Sequence, residues 1–571
     1  MKALKKFFIY LGLIIAVLVA VVLIIFAVMY FAPGTSILGY EYVLYNKRDT
    51  RTFTTSSYPS ISSVQAVQVV TESTNIYIMP NKVDGELKIV HNQGLSGYAK
   101  SINSKLEVKT KVENKSFEES LTSYRTFVIE IEEPNGWIAK SNAAIYVYIP
   151  TNLTTNTIYA KSTGGDIEYI SEKTYENEND EEFTKTLKCT NLYMKTSDYG
   201  HLEIDNEQTI SNYYLQTKYG KVQFSNVTNL SANTVKFETY TGNFNLTNPN
   251  SNATLTLTDK LHIISNEKYT GAYIRINVLN ANLLATGNNG TFKIDRISST
   301  GKNKNIALTM NKCNVDFGEV YGHVSIIGEG SDIKNTVTIK NLYEQPQTNV
   351  IESGSGNVYI ENLKCSAAID ATSGNVTIAA ATESKSSVYV YTTTGSINVN
   401  YVRVNETLPQ YDYPNVKVTA ITKTGDINLK NVSGLLQVEV LNDSASSKLN
   451  ISFKAIAYAK DSNEDLVENV INARNRTVNI VLKGSSNTLQ SRIVSTSNVN
   501  DAKGGVLQSV SREYESAEDK NKDYILNLYE GYQYGYRVYY KKNDANYNAG
   551  NFSTRGIILI NTTASSSVDT D

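Results

Sequence analysis

The chain has 571 residues, a formal net charge of −2 and 41% hydrophobic residues, so a large core can form and no strong charge field draws nucleic acid. Forty tyrosines stand against 9 prolines and 1 tryptophan. With Asn, Thr, Ser, Val and Ile abundant, that balance suits strands joined by polar turns and weighs against a helical protein.

In chain order the first element is apolar. The 25 residues from Phe7 to Phe31 carry no charge, and as a helix they would span about 37 Å at about 1.5 Å per residue, against about 30 Å of hydrocarbon. Lys2, Lys5 and Lys6 precede the run, so the positive-inside rule predicts a cytoplasmic stub at 1–6, a membrane helix at 7–31 and an ectodomain outside the cell. A cleaved signal peptide is the competing reading, but its apolar stretch is usually about 7–15 residues, and no small-x-small site stands out near Ala27 to Ala32. A lipid anchor would need a cysteine just past the run, and the first cysteine is Cys189.

A linker is expected over 32–60. Residues 61–160 alternate apolar and polar, as in Val67-Gln-Val-Val and Asn75-Ile-Tyr-Ile, and are read as an atypical β segment capping the repeat region. From 161 to 441 one phrase recurs, a glycine turn followed by polar, apolar, polar, apolar. Its glycines are Gly165, Gly200, Gly220, Gly242, Gly290, Gly322, Gly356, Gly374, Gly395 and Gly425. The second and fourth residues after each glycine share one strand face. They run from Ile167 with Tyr169 and Leu202 with Ile204 to Ile427 with Leu429.

The closest glycine spacings are 18, 20, 21 and 22 residues, which predicts coils of about twenty residues. One such unit cannot bury its own apolar face, whereas copies stacked about 4.8 Å apart make parallel sheets around a shared interior. The expected fold class is all-β: a β-solenoid resembling a single-stranded β-helix, behind one N-terminal transmembrane helix. Ten to fourteen coils would measure roughly 50–65 Å. A sandwich or propeller is the alternative, disfavoured because few Asn-Gly or Asp-Gly hairpin signals flank paired runs. The turn glycines are expected to supply positive φ at tight corners.

An acidic insertion between Ser171 and Lys188 reads as a solvated loop, with calcium binding the sharper alternative. Beyond Asp461 the phrase fades. Residues 442–563, with charges around Glu513 to Asp523 and tyrosines from Tyr529 to Tyr540, are expected to close the stack with a hairpin, and 564–571 form a polar tail.

Ser355-Gly-Asn-Val-Tyr-Ile, Ser373-Gly-Asn-Val-Thr-Ile, Thr394-Gly-Ser-Ile-Asn-Val, Thr424-Gly-Asp-Ile-Asn-Leu and the earlier Thr163-Gly-Gly-Asp-Ile-Glu-Tyr resemble the bacterial putative-adhesin family. The resemblance covers about Val64 to Leu441 and implies a cell-envelope protein behind a membrane helix. It brings no catalytic residues, and long insertions depart from the family's pattern.

Catalysis needs converging acids, bases, nucleophiles or metal ligands. There are 4 histidines, His91, His201, His262 and His323, and two of them, His201 and His323, fill the slot after the turn glycine. Asp166, Lys221, Asn243, Thr291, Asn357 and Asp426 fill it elsewhere, which reads as a solvent-facing turn. Asp295, Asp316, Asp332 and Asp370 are the carboxylates that a β-helix polysaccharide-active enzyme would use. Gly328-Glu-Gly-Ser-Asp332 has the look of a calcium nonapeptide, but a single copy supplies no ligands across coils. Sequons such as Asn245-Leu-Thr, Asn375-Val-Thr and Asn551-Phe-Ser matter only in a glycosylating host.

Cys189, Cys313 and Cys365 are too few and too scattered for a disulfide framework or a paired-cysteine metal site, and read as small core residues. A Cys313–Cys365 bridge stays open outside the cytoplasm. The chain is therefore expected to be no enzyme and to hold no cofactor or metal. Its partners would be the membrane and a cell-wall polymer, surface protein or membrane protein, in either an adhesin-like binding or structural role or as an accessory subunit of an envelope-sensing complex.

Overall fold

The structure is a computed structural model. It describes residues 2–31 and, within 36–561, all but the segments 101–106, 403–416, 484–491, 497–506, 514–528 and 541–556 and a set of shorter connections. The expected tail at 564–571, the sequon at Asn551 and most of the stretch from Glu513 to Asp523 lie outside the described residues.

Helix Lys2–Phe31 is apolar on all sides beyond Lys6. Its stretch Phe8–Val28 has a mean hydropathy of 3.4 and is long and apolar enough to cross a membrane. The rest of the chain is β-structure, a β-solenoid, and falls into two compact units, 1–259 and 260–571.

In the first unit every coil contributes two strands, one to each of two parallel ladders. One ladder stacks Ala66–Thr71, Thr157–Ser162, Asn191–Thr196, Asn212–Thr217 and Asn229–Thr239 in that order. The other stacks Asn75–Pro80, Ile167–Ile170, Leu202–Asp205, Lys221–Ser225 and Asn243–Leu246. Spatial order departs from chain order at the start. Ser123–Glu132 pairs in parallel with Ala66–Thr71 on its other side, and Gly136–Ile149 does the same with Asn75–Pro80.

Antiparallel strands then close both ladders. Glu107–Ser116 lies against Ser123–Glu132, and Glu86–Lys100 lies against Gly136–Ile149. The outer strand Glu107–Ser116 carries both signs of charge on Glu107, Lys109, Lys111, Glu113 and Lys115, with Lys109 2.6 Å from Glu132 and Lys115 3.0 Å from Glu113. A charged edge of this kind resists pairing with another chain.

The acidic insertion is a correction to the sequence reading: it is a hairpin, Glu172–Glu176 against Glu182–Thr186, and not an open loop. Tyr175 donates to the Pro80 carbonyl at 2.6 Å, and Lys185 meets Asp84 at 2.8 Å, which pins the hairpin to the coil beneath. Asn177 makes the tip by accepting from the backbone N–H groups of Asn179 and Glu181, an Asx turn that tolerates the positive φ of Asp180.

In the second unit the coils begin differently. Ala272–Ile297 and Lys304–Val320 continue unbroken through the corner as long parallel strands, the second serving both ladders. After them the two-strand coil resumes. One ladder stacks Gly322–Ile327, Asn349–Glu352, Ala367–Ala371, Val388–Thr392, Lys417–Thr422 and Leu435–Val440. The other stacks Thr336–Leu342, Val358–Leu363, Val376–Thr382, Ile397–Val402, Ile427–Val432 and Lys448–Phe453. Towards the C-terminus Tyr529–Gln533 and Tyr536–Tyr540 pair antiparallel.

The apolar pairs after each glycine point inward throughout, and none from Ile167 to Leu429 is more than 4% exposed. Burying each such side chain contributes about 1.5–3 kcal/mol, so the repeat distributes its core evenly over the coils. Tyr169 and Tyr401 reach the interior with their hydroxyls satisfied by the Leu187 and Ser386 carbonyls.

Cys189, Cys313 and Cys365 are all buried free thiols. Burial pushes Cys189 and Cys313 up to about 12. An unfolded thiol titrates near about 8.5, so the folded state holds the extra proton between these values and stability falls as pH rises through that window. We expect the detergent-solubilised chain to resist iodoacetamide at pH 8 and to label at all three cysteines in denaturant. Rapid labelling of Cys189 or Cys313 without denaturant would contradict the buried placement.

Candidate binding surface

The corner between the two ladders is built from three residue columns. In the first, the turn glycine of each coil sits on the backbone of the coil before it. A Cβ on Gly200 would overlap the Gly165 carbonyl oxygen, one on Gly220 that of Gly200, and one on Gly242 that of Gly220. In the second unit the same contact links Gly356 to Asn335, Gly374 to Gly356, Gly395 to Gly374 and Gly425 to Gly395.

None of the ten phrase glycines has positive φ. The expectation about φ is therefore overturned: glycine is required for close approach between coils, not for a left-handed corner. Two glycines also leave the pattern. Gly290 lies inside strand Ala272–Ile297 and faces the Phe292 ring and Met310, and Gly322 opens strand Gly322–Ile327 and faces Ile306 and Lys304.

The second column is a buried hydroxyl three residues before the glycine. Ser162, Thr217, Thr239 and Thr422 accept from the backbone N–H of Gly165, Gly220, Gly242 and Gly425 at 2.6–2.8 Å. Thr392 instead donates to the Gly395 carbonyl at 2.8 Å. These inward side chains end the apolar run of the first strand and satisfy turn groups that would otherwise be buried without a partner.

The third column is the slot after the glycine. It is solvent-facing, as expected, but it also ties coil to coil. Asp166 accepts from the His201 backbone N–H at 2.8 Å, His201 Nδ1 from that of Lys221 at 3.1 Å, Asn357 from that of Asn375 at 2.9 Å, and Asp426 from that of Lys448 at 2.8 Å. His323 contacts the Thr348 carbonyl at 3.0 Å. His91 is buried and His262 half-buried.

The carboxylates that an enzyme would use are not brought together. Asp295 takes two hydrogen bonds from Arg275 at 2.7 and 3.0 Å and one from Asn277 at 2.9 Å. Burial alone would raise its pKa, but those bonds and the charges of Arg275 and Lys293 hold its carboxyl below the usual range. Asp316 lies 3.4 Å from Lys293, and Asp332 lies 2.6 Å from Lys312. Asp370 is pushed above the usual carboxylate range by burial and the neighbouring Glu352. Among the described residues no group of three His, Cys, Asp or Glu side chains could hold a metal ion, Gly328–Asp332 and the hairpin acids included.

The outer faces carry aromatic and amide columns. Tyr159, Tyr193 and Tyr214 succeed one another across three coils, with the last two rings stacked at 4.4 Å, but Phe117 covers them, 5.4 Å from Tyr159, and Tyr193 is buried, so this column is packed and not exposed. Tyr199 and Tyr219 stack at 4.9 Å on the first unit's corner, and the Lys218 ammonium sits over the Tyr219 and Tyr240 rings. In the second unit Tyr321 and Tyr343 stack at 3.9 Å between Arg296 and Lys364. Asn398, Asn428 and Asn450 form an amide ladder at 2.7–2.9 Å. The twenty-residue spacing contains these columns, but it shows them only once register is known.

Coils closed by such corners, with residue columns repeating on the outside, define a β-solenoid. The chain belongs to the Toastrack DUF4097 family, which matches residues 64–430. Similar solved structures are a putative cell adhesion protein from Clostridium sporogenes, with 11% identity over 44% of this chain and 100% of that chain at a TM-score of 0.18, and a putative adhesin from Bacteroides fragilis, with 12% identity over 63% and 98% at 0.21. A putative adhesin from Parabacteroides merdae is similar at 10% identity over 62% and 97%, with a TM-score of 0.20. No curated protein matches the chain.

The corner geometry gives a direct expectation. Gly374→Ala places a methyl against the Gly356 carbonyl, and overpacking of this kind costs about 1–3 kcal/mol. Thr422→Val strips the acceptor from a buried N–H and costs about 1–3 kcal/mol. Urea unfolding of both variants measures this, and unchanged midpoints would show that the corner is slack.

Proposed function

We propose that the chain is a membrane-anchored cell-surface binding or structural protein, adhesin-like and non-catalytic. The observation that carries this reading is the exterior itself. Stacked tyrosines such as Tyr199 with Tyr219 and Tyr321 with Tyr343, and the asparagine ladder, repeat from coil to coil, while the carboxylates Asp295, Asp316 and Asp332 are tied up in ion pairs. Binding energy spread over repeated contacts suits a polymer or a cell surface better than a small substrate.

Helix Lys2–Phe31 would serve as a retained anchor, with Lys2, Lys5 and Lys6 keeping the N-terminus in the cytoplasm. The β segment at 61–160 then acts as the cap nearest the helix, 161–441 as the repeat body and 442–563 as the closing segment, with the phrase glycines other than Gly290 and Gly322 as structural turn residues.

Two readouts test this. Carbonate washing should leave the full chain in the membrane, and protease added outside intact cells should degrade everything beyond residue 32. The detergent-solubilised chain should then bind saturably to cell-wall sacculi or host matrix protein. Capture of membrane proteins alone, with no binding to either surface, would favour the accessory role.

A further inference from the structure

We propose that a groove in the second unit binds an anionic, hydroxyl-rich polysaccharide; the inference rests on the surface-binding reading and names its ligand class. The groove is shallow and open to solvent, with a volume of about 390 Å³, and is lined chiefly by Asn289, Thr291, Lys312, Asn314, Lys334 and Thr336.

Its floor comes from the long strands. Thr291 aligns with Asn314 and Asn314 with Thr336, which gives three hydroxyl or amide side chains in one row across adjacent strands. Asn289 aligns with Lys312 in the parallel row. Two of the lining residues are glycines packed tightly against their neighbours: a Cβ on Gly271 would overlap the Asn289 carbonyl, and one on Gly290 would press inward on the buried Phe292 and Met310.

The chemistry of the lining is one-sided. Lys312 and Lys334 are the charged groups, asparagine and threonine supply donors and acceptors for hydroxyls, and no carboxylate lines the groove. A carboxylate does enter from the rim. Asp332 meets the Lys312 ammonium at 2.6 Å with its own side chain 83% exposed, and its oxygens stand where a ligand's anionic group would sit. Exposed ion pairs of this type are worth about 0–1 kcal/mol, so a polymer carrying regularly spaced carboxylates or phosphates can displace Asp332. Lysine suits both anions because it acts as a point charge without a fixed fork.

The test uses the full chain in detergent, with polygalacturonate and a glycerol-phosphate polymer as probes and fully methyl-esterified pectin as the neutral counterpart. We expect saturable binding to one or both anionic polymers, lost in high salt, and none to the ester. Lys312→Gln with Lys334→Gln should weaken it at least tenfold. Thr291→Tyr, which fills the groove without changing charge, should do the same, and Asp332→Asn should tighten it several-fold. Preference for one polymer tells a uronate from a phosphate ligand. Unfolding midpoints near wild type establish that the variants are folded.

Wild-type binding to sacculi that survives all three substitutions would overturn the groove while leaving the surface-binding reading intact. Binding to neither polymer would also overturn it. Failure to bind sacculi and matrix protein as well would overturn both.

Discussion

The architecture depends on one close contact: the carbonyl oxygen of a turn in one coil meets the bare Cα of the glycine in the next. Strands in a parallel ladder lie about 4.8 Å apart, and a corner that joins two ladders must hold that spacing or the ladders splay. From Gly165 to Gly242, and again from Gly356 to Gly425, there is no room for a side chain between successive turns. The buried hydroxyl of Ser162, Thr217, Thr239 or Thr422 and the exposed Asp, Asn or His after the glycine then complete the corner's hydrogen bonds. Inward pairs such as Phe244 with Leu246 stack in register because the corner sets the register.

Much of this was legible in the sequence, and the reason is periodicity. An apolar pair at a fixed distance from a glycine, repeated about every twenty residues, specifies which face is buried and that neighbours must stack. The apolar helix was legible from length alone. The purpose of the glycine was not, since a missing side chain at a corner has two physical explanations, and only backbone geometry distinguishes positive φ from close packing. The hydroxyl three residues earlier was present in the letters as Thr217, Thr239 and Thr422, but serine and threonine are so common here that their alignment carried little weight.

Other features depended on long-range pairing. The spatial inversion that places Ser123–Glu132 outside Ala66–Thr71 leaves no local signature. The hairpin at Glu172–Glu176 and Glu182–Thr186 was hidden by its charges, which suggest a loop until Tyr175 and Lys185 are seen to anchor it. The unbroken run of Ala272–Ile297 through the corner placed Gly290 in a strand although its phrase matches the others. The tyrosine columns and the Lys312–Lys334 groove are products of register, so no window of sequence displays them. A solenoid converts a one-dimensional repeat into two-dimensional arrays, and its binding chemistry is expected at that second level.

Native-state hydrogen exchange tests the central claim most directly, because it reads the corner and the ladders at once. If coil stacking runs through the glycine corner, the amides of Gly220, Gly242 and Gly425 exchange as slowly as those of the adjoining strands, and they open in the same cooperative event. Turn amides that exchange at loop rates while Leu215, Phe237 and Ile427 stay protected would contradict it, and would mean that the ladders hold themselves together with the corner as a passive connection.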